Sequence, residues 1–318
     1  MKLSIVIPAY NAEKYIMRMI NCILNSKCDF EIVCVNDGST DNTLNILNGI
    51  NDSRVKVFSK QNEGPYKTWQ FGVKHSQGDY ITILDADDYI DEDYIEYIFN
   101  FIEKINADVL FTPYYIETIE GEKKYSKLPL DEGLYKDEAL DSIRNCLISG
   151  RIPYGKPTKV IRRYLLVDQI NNSYNERLKD FEDWLTMIQI FSKAKSLFVL
   201  NKPYYHYIQY PNSISRNSIS YRGSYESLIS VVNYLSHNNY VQLSVEQIQS
   251  IKFYGLRSVL LRCIKIKELS LANEIMRNTD FKDYAKKSSI SRKEKLIYSI
   301  SSTRFLYLLY KIKSCFGK

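Results

Sequence analysis

Residues Tyr80–Asp93 read YITILDADDYIDED. The stretch opens as an apolar strand and then places six carboxylates in the nine positions from 85 to 93. Asp91, Glu92 and Asp93 suit the start of the helix predicted by the spacing of Ile95, Ile98, Ile102 and Ile105, because the amino end of a helix favours negative charge. Asp85 and Asp87 are not explained that way. Two apart in extended backbone, they point to the same side. Carboxylates held that close repel unless a cation sits between them. The pair therefore predicts a hard cation held by oxygens, Mg²⁺ or Mn²⁺.

Upstream, strand and helix patterns alternate. Leu3–Pro8 is a continuous apolar run, as in a strand buried on both faces. Helical spacing follows at Ile16, Ile20, Ile23 and Leu24. Glu31–Asp37 (EIVCVND) predicts a second strand, and GSTDNTLNIL a helix capped by Ser39, Thr40 or Asp41. Val55–Lys60 is a third strand, Pro65–His75 a helix and Tyr80–Asp85 a fourth strand. Such alternation predicts a mostly parallel α/β sheet with helices on both faces. These sheets bind ligands at the carboxyl ends of their strands. Tyr10 and Asn11, Asp37, Asn62, and Asp85 with Asp87 all fall there.

The 318 residues suffice for one large domain or two ordinary ones, and 45% hydrophobic with 25% charged content is that of a globular protein. No stretch reaches the roughly 18 apolar residues of a membrane span. The run in MKLSIVIPAY is too short for a secretory segment and lacks a cleavage site, so a cytoplasmic protein is expected. The six cysteines form no C-x-x-C pair and there are only three histidines, which argues for reduced, packed thiols and against a zinc site. G-x-G-x-x-G after the first strand and the P-loop pattern are both missing, so a dinucleotide cofactor or P-loop is not expected.

Beyond residue 105 the pattern loosens. DVLFTPYYIET predicts a strand and GEKKYSKLPLDEG a loop or hairpin. Lys136–Ile148, Lys159–Leu166 and Glu182–Ala194 have helical spacing. SLFVLNKPYYHYIQY predicts a strand entering an aromatic-rich loop, and the chain reads as helical from about Tyr221. Residues 281–318 hold ten Lys or Arg against two acids. With Phe305, Leu308, Leu309 and Ile312 at helical spacing, that end fits either peripheral contact with an anionic membrane or a packed helix with a solvated basic face.

SIVIPAYNAEKYI, EIVCVNDGSTDNT and GDYITILDADDYI together resemble the N-terminal half of glycosyltransferase family 2. The likeness continues through NEGPYKTWQFGV, TKVIRRYLL, KDFEDWLT and PYYHYIQYPNSIS, spanning roughly residues 3 to 216. It implies a GT-A fold over 1–220, with 221–318 as a helical C-terminal region, and an inverting enzyme using a nucleotide sugar. Carried over by position, Pro8, Ala9 and Tyr10 would line the base pocket, with Glu13 nearby. Asp37 would accept from the base, taken as uracil, and Asn62 would hold the nucleotide. Asp87 would bind the metal, and Asp85 the ribose or metal-bound water. Asp183 would be the general base, oriented by Glu182, with Trp184 walling the acceptor site. The acceptor implied is a glycan or lipid-linked oligosaccharide of the cell surface; no nucleic-acid partner is expected.

The chain departs from the family pattern at Trp69 and Gln70, where an Arg-Asn pair is common; Lys67 is the candidate replacement cation. Ile208 stands where a basic residue is common, which leaves His206 or Arg216 for the diphosphate, with Ser213 and Ser215 in a closing loop. A D-x-D phosphatase is disfavoured because the motif follows the fourth strand and Tyr89 follows where Thr or Val is wanted. A nucleotidyltransferase would need a Gly-rich basic loop where PAYNAEKY stands. A scaffold that keeps the fold without catalysis stays open.

Overall fold

The computed structural model describes residues 2–174, 178, 180–210, 221–277, 279–287 and 298. The chain divides into two compact units. The first comprises Met1–Ile143, Ile152–Ser173 and Lys193–Ser213; the described residues of the second fall in Arg144–Arg151, Tyr174–Ser192 and Ile214–Lys318.

The first unit is built on an eight-stranded sheet. β1 (Leu3–Ala9), β2 (Phe30–Asn36), β3 (Val55–Ser59) and β4 (Tyr80–Ile83) run parallel in the order β3-β2-β1-β4. β1 and β2 are almost wholly buried, so their sequences read as unbroken apolar runs. The helices α1 (Ile16–Leu24), α2 (Thr43–Asn48) and α3 (Pro65–His75) link them. α1 buries Ile16, Met19, Ile20 and Ile23, one helical face at the predicted spacing. Gly72 lets α3 lie close on the sheet: a Cβ there would stand 2.4 Å from Val6 Cγ1. The order of the strands reverses between β1 and β4, which opens a crevice at their carboxyl ends.

Beyond β4 the sheet continues as β10 (Lys159–Arg162), β6 (Val109–Phe111), β11 (Ser196–Val199) and β9 (Gly133–Lys136), with β10 and β9 antiparallel to their neighbours. Lys159–Leu166 is therefore not one helix. Buried Val160 and Ile161 fill the gap between β4 and β6, and the helix Arg163–Asn171 starts only after them. DVLFTPYYIET is likewise two strands. Pro113, which has no N–H to donate, separates β6 from β7 (Tyr114–Thr118).

β7 belongs to a second, four-stranded sheet with β5 (Tyr89–Ile90), β12 (Tyr205–Gln209) and β8 (Lys123–Ser126), ordered β5-β12-β7-β8. The anticipated hairpin is the antiparallel pair β7–β8. The anticipated aromatic loop is β12, ordered by pairing with β5 and β7. The helix α4 (Tyr94–Ile105) follows β5, with Asp93 at its N-cap position.

The second unit holds most of the helix Glu182–Lys193, and among the described residues the helices Tyr221–His237, Val245–Lys265, Leu269–Arg277 and Thr279–Lys287 make up the helical C-terminal region. A complete capping box starts Val245–Lys265, with Ser244 and Gln247 bonding each other's backbone. No helix among the described residues is long and apolar enough to cross a membrane. Cys22, Cys28, Cys34, Cys146 and Cys263 are free thiols.

Candidate active site

The carboxyl edge of the sheet is assembled by two interlocked loops. After β1, the N–H of Asn11 donates to Ser39 Oγ (3.1 Å) and that of Ala12 to Thr43 Oγ1 (2.8 Å). In return Asn11 Oδ1 accepts from the Thr40 N–H (2.9 Å) and Glu13 Oε2 from the Asn42 N–H (2.9 Å). Asn11 adopts φ +50°, a left-handed conformation that asparagine tolerates. Glu13 thus joins the two loops. Pro8 and Ala9 end β1, and Tyr10 stands exposed at the rim.

Asp37, one residue past β2, is buried and fully engaged. Its Oδ1 pairs with Lys60 Nζ (2.6 Å) and accepts from the Glu63 N–H (3.0 Å); its Oδ2 accepts from the Gly64 N–H (2.9 Å). Burial alone would raise its pKa, but the Lys60 ammonium and the Glu63 N–H outweigh it and hold the carboxyl below the usual carboxylate value. Asp37 therefore fixes the loop that carries Asn62. Gly38 beside it has φ +68°, and a Cβ there would lie 2.9 Å from the Asn62 nitrogen. Asn62 itself is exposed.

The end of β4 is different. Its last ladder bond runs from the Leu84 N–H to the Val6 carbonyl (2.9 Å). Asp85–Asp88 then turn away, with the Asp88 N–H donating to the Asp85 carbonyl (3.3 Å). Asp85 and Asp87 thus lie in a turn, not in the extended backbone from which their common side was inferred. They are half-buried, and Asp88 is buried. Burial raises the Asp87 pKa, with Arg18 partly opposing it. Asp88 is raised well above the usual value, first by burial and then by the charges of Asp85 and Asp87. Its oxygens accept from the Ile208 N–H (2.8 Å) and the Tyr205 hydroxyl.

Asp88 was not singled out in the sequence, and neither was Arg18. Arg18 Nη2 donates to the main-chain carbonyl of Asp87 (2.6 Å) and lies 3.2 Å from the Tyr210 hydroxyl. Helical spacing reveals Arg18 only as a position on the exposed face of α1, so no sequence signal marked it.

His206 lies in β12, not in a loop, and is 1% exposed. Nε2 is 3.0 Å from Asp91 and Nδ1 is 3.2 Å from Glu117, while the Tyr89 ring stacks on it at 4.1 Å. The geometry makes it a strut of the second sheet. Ser213, Ser215 and Arg216, and the basic amphipathic tail with Phe305 and Ile312, lie outside the described residues.

The two departures from the family pattern are buried in α3. Among the described residues Trp69 Nε1 and Gln70 Nε2 have no hydrogen-bond partner. Lys156 Nζ lies 5.6 Å from the Trp69 ring centroid. Lys67 sits half-buried in the same helix.

In the second unit, Glu182 and Asp183 open the helix Glu182–Lys193. The residue before them, Phe181, has φ +65°, a strained conformation for an aromatic residue. Its ring packs on Trp184 (5.7 Å) and under the Arg262 guanidinium (5.4 Å), which pairs with Asp180 (2.7 Å). Trp184 is a core residue rather than a wall: it is buried and its indole N–H donates to the Leu147 carbonyl (3.0 Å).

Asp85 and Asp87, two half-buried carboxylates of one turn, are hard oxygen donors of the kind that Mg²⁺ and Mn²⁺ take alongside phosphate oxygens. Burial first, and then the charges of Asp85 and Asp87, raise Asp88, and a cation at the turn would oppose the second of these. Among the described residues no group of three or more His, Cys, Asp or Glu is arranged to hold a metal by itself.

Residues 4–190, more than half of the chain, match the family described as Glycosyl transferase family 2. The chain belongs to glycosyltransferase family 2. This family member is 31% identical over 215 residues to the poly(ribitol-phosphate) beta-N-acetylglucosaminyltransferase TarS of Staphylococcus aureus, covering 65% of the chain and 35% of that relative. It thus spans about a third of the length of that relative. A cholesterol galactosyltransferase of Borreliella burgdorferi is 26% identical over 316 residues, covering 90% of the chain and 87% of the relative. Crystal structures of S. aureus TarS 1-349 share the fold. The one in complex with UDP-GlcNAc has a TM-score of 0.71 at 22% identity, covering 98% of this chain and 92% of that one. The fold of the family 2 chain is accordingly GT-A.

Proposed function

We propose that this chain is an inverting, Mg²⁺- or Mn²⁺-dependent glycosyltransferase that moves a hexose or N-acetylhexosamine from a UDP-sugar to a hydroxyl of a cell-surface glycan. The observation that carries the reading is the crowded turn Asp85–Asp88 at the strand-order reversal of a family 2 sheet. The relatives' names suggest N-acetylglucosamine and poly(ribitol phosphate) as the first donor and acceptor to test.

In this reading Pro8, Ala9, Tyr10 and Asn62 receive the nucleotide, and Asp37 holds the loop that presents Asn62. Asp85 and Asp87 hold the metal, which when bound would offset charge on the departing diphosphate. Asp183 takes the proton from the acceptor hydroxyl as its oxygen bonds to the anomeric carbon, the carbon–oxygen bond to UDP breaks on the opposite face, and the anomeric configuration inverts. Glu182 orients Asp183. The strained Phe181 before this pair supports a functional rather than a merely capping role.

Asp183→Asn tests the reading. Turnover of UDP-N-acetylglucosamine with poly(ribitol phosphate) should fall by about 10²–10⁴ while UDP affinity stays unchanged. A loss under about tenfold removes Asp183 as the base. UDP binding by a wild-type chain that transfers no sugar to any acceptor would make the protein a binding scaffold.

A further inference from the structure

The main-chain carbonyl of Asp87 is gripped from two sides. Arg18 Nη2 donates to it at 2.6 Å and the Tyr210 hydroxyl at 3.2 Å. Each grip is itself braced. The Arg18 guanidinium lies over the Tyr89 ring, 4.9 Å from its centroid. That ring stacks on His206, and its hydroxyl donates to Glu117 (2.7 Å). The Tyr210 ring packs against Tyr15, the residue before α1, at 4.7 Å. Below Arg18, the buried face of α1 is locked into the core.

Arg18 is exposed, yet its planar fork is held by a carbonyl, a phenol and a ring at once. Charge solvation alone requires none of these contacts. The turn Asp85–Asp88 has left the sheet, so no ladder bond fixes Asp87; the clamp replaces what the ladder no longer supplies.

We infer that Arg18 and Tyr210 are positioning residues that fix the carboxylate of Asp87 in its metal-binding orientation by clamping its main-chain carbonyl. The inference rests on the proposed metal-dependent function. It places neither residue on substrate, so both act through Asp87. Lysine is not an equivalent, because an ammonium has no planar face to lay over the Tyr89 ring while one of its nitrogens donates to both oxygens.

The experiment measures UDP binding to the full chain by calorimetry, with Mn²⁺ titrated and again in EDTA, for wild type, Arg18→Ala, Arg18→Lys and Tyr210→Phe. Partners behind a metal ligand typically govern metal affinity by about 10–100-fold. Arg18→Ala should raise the half-saturating Mn²⁺ concentration by about tenfold or more, Arg18→Lys by less, and Tyr210→Phe by about threefold. Affinity for UDP in EDTA and the melting temperature should stay near wild type. A half-saturating Mn²⁺ concentration in Arg18→Ala within about twofold of wild type, or an equal loss in EDTA, overturns the inference. If Arg18→Ala does not fold, Tyr210→Phe, which removes one hydroxyl, decides alone. A wild-type chain whose UDP binding ignores Mn²⁺ sinks the metal-dependent reading itself, and the clamp with it; an Mn²⁺-responsive wild type with unresponsive variants sinks only the clamp.

Discussion

Asp37 and the Asp85–Asp88 turn stand on the same edge of one sheet, after β2 and β4, and their carboxylates live in opposite circumstances. Asp37 has Lys60 and two backbone N–H groups within bonding distance, and its proton affinity is lowered. In the turn, Asp87 has Arg18 nearby, whose bond goes to a main-chain carbonyl, and burial raises the affinities of Asp87 and Asp88. An acid whose lone pairs are filled by the protein belongs to the scaffold. A buried group of acids whose proton affinity is raised is, in the proposed function, the place that a bound cation would stabilise. The difference separates two roles that a bare count of acids at strand ends runs together.

The sharpest way to break the comparison is Asp37→Asn. Removing the charge leaves the half-buried Lys60 with only the exposed Glu63 carboxylate and the Gln61 carbonyl, and breaking a buried pair costs about 3 kcal/mol. The melting temperature should fall by roughly 6–12 °C, at the 2–4 °C per kcal/mol of a mid-sized domain. The acid limb should change too. The folded pKa of Asp37 is lowered, so its contribution is complete above the unfolded value of 3.8 and is lost as pH falls through the folded value. Thermal melts from pH 6 downward should show a loss in wild type that is smaller in the variant. A melting temperature within about 2 °C of wild type would take Asp37 out of the scaffold.

Asp87→Ala should behave in the reverse manner. The turn loses a repelling charge, so stability should hold or rise slightly. UDP affinity should drop about 100-fold in Mn²⁺, or roughly 2.7 kcal/mol, and hardly change in EDTA. Calorimetry in both conditions decides it. An equal loss with and without metal would mean that Asp87 is no ligand.

What was legible in the sequence follows the same division. β1–β4 and their helices were readable because buried parallel strands are continuous apolar runs and the acids, amides and glycines punctuate them locally. The family pattern gave the candidate site residues by position. The second sheet was not readable: β12 pairs with β7 and β5 across more than eighty residues, and its Tyr-rich sequence looks like loop until those partners are known. β10 was taken for helix because its four residues are too few to show a period of two. His206, a candidate for the diphosphate, and Trp184, a candidate wall of the acceptor site, are both buried and hydrogen-bonded within the fold, which the sequence does not show. Arg18 was missed because its role depends on a carbonyl sixty-nine positions away.

Glu31 offers the smallest and most discriminating effect. It is a satisfied acid like Asp37, but it opens β2 rather than ending it, so it lies at the amino edge of the sheet. Oε1 accepts from Ser4 Oγ (2.7 Å) and the Gln77 N–H (2.5 Å), and Oε2 pairs with Lys56 (2.6 Å). Burial pushes its pKa up, and these partners more than reverse the shift. Glu31→Gln keeps one acceptor oxygen, and the partly exposed Lys56 can turn to water, so the cost should be about 1 kcal/mol by urea denaturation. UDP binding should be untouched with or without Mn²⁺, because ligands of such sheets gather at the other edge. If Glu31→Gln weakened UDP binding, the effect would be read as global loosening of the sheet, and the carboxyl edge would lose its claim to be the site.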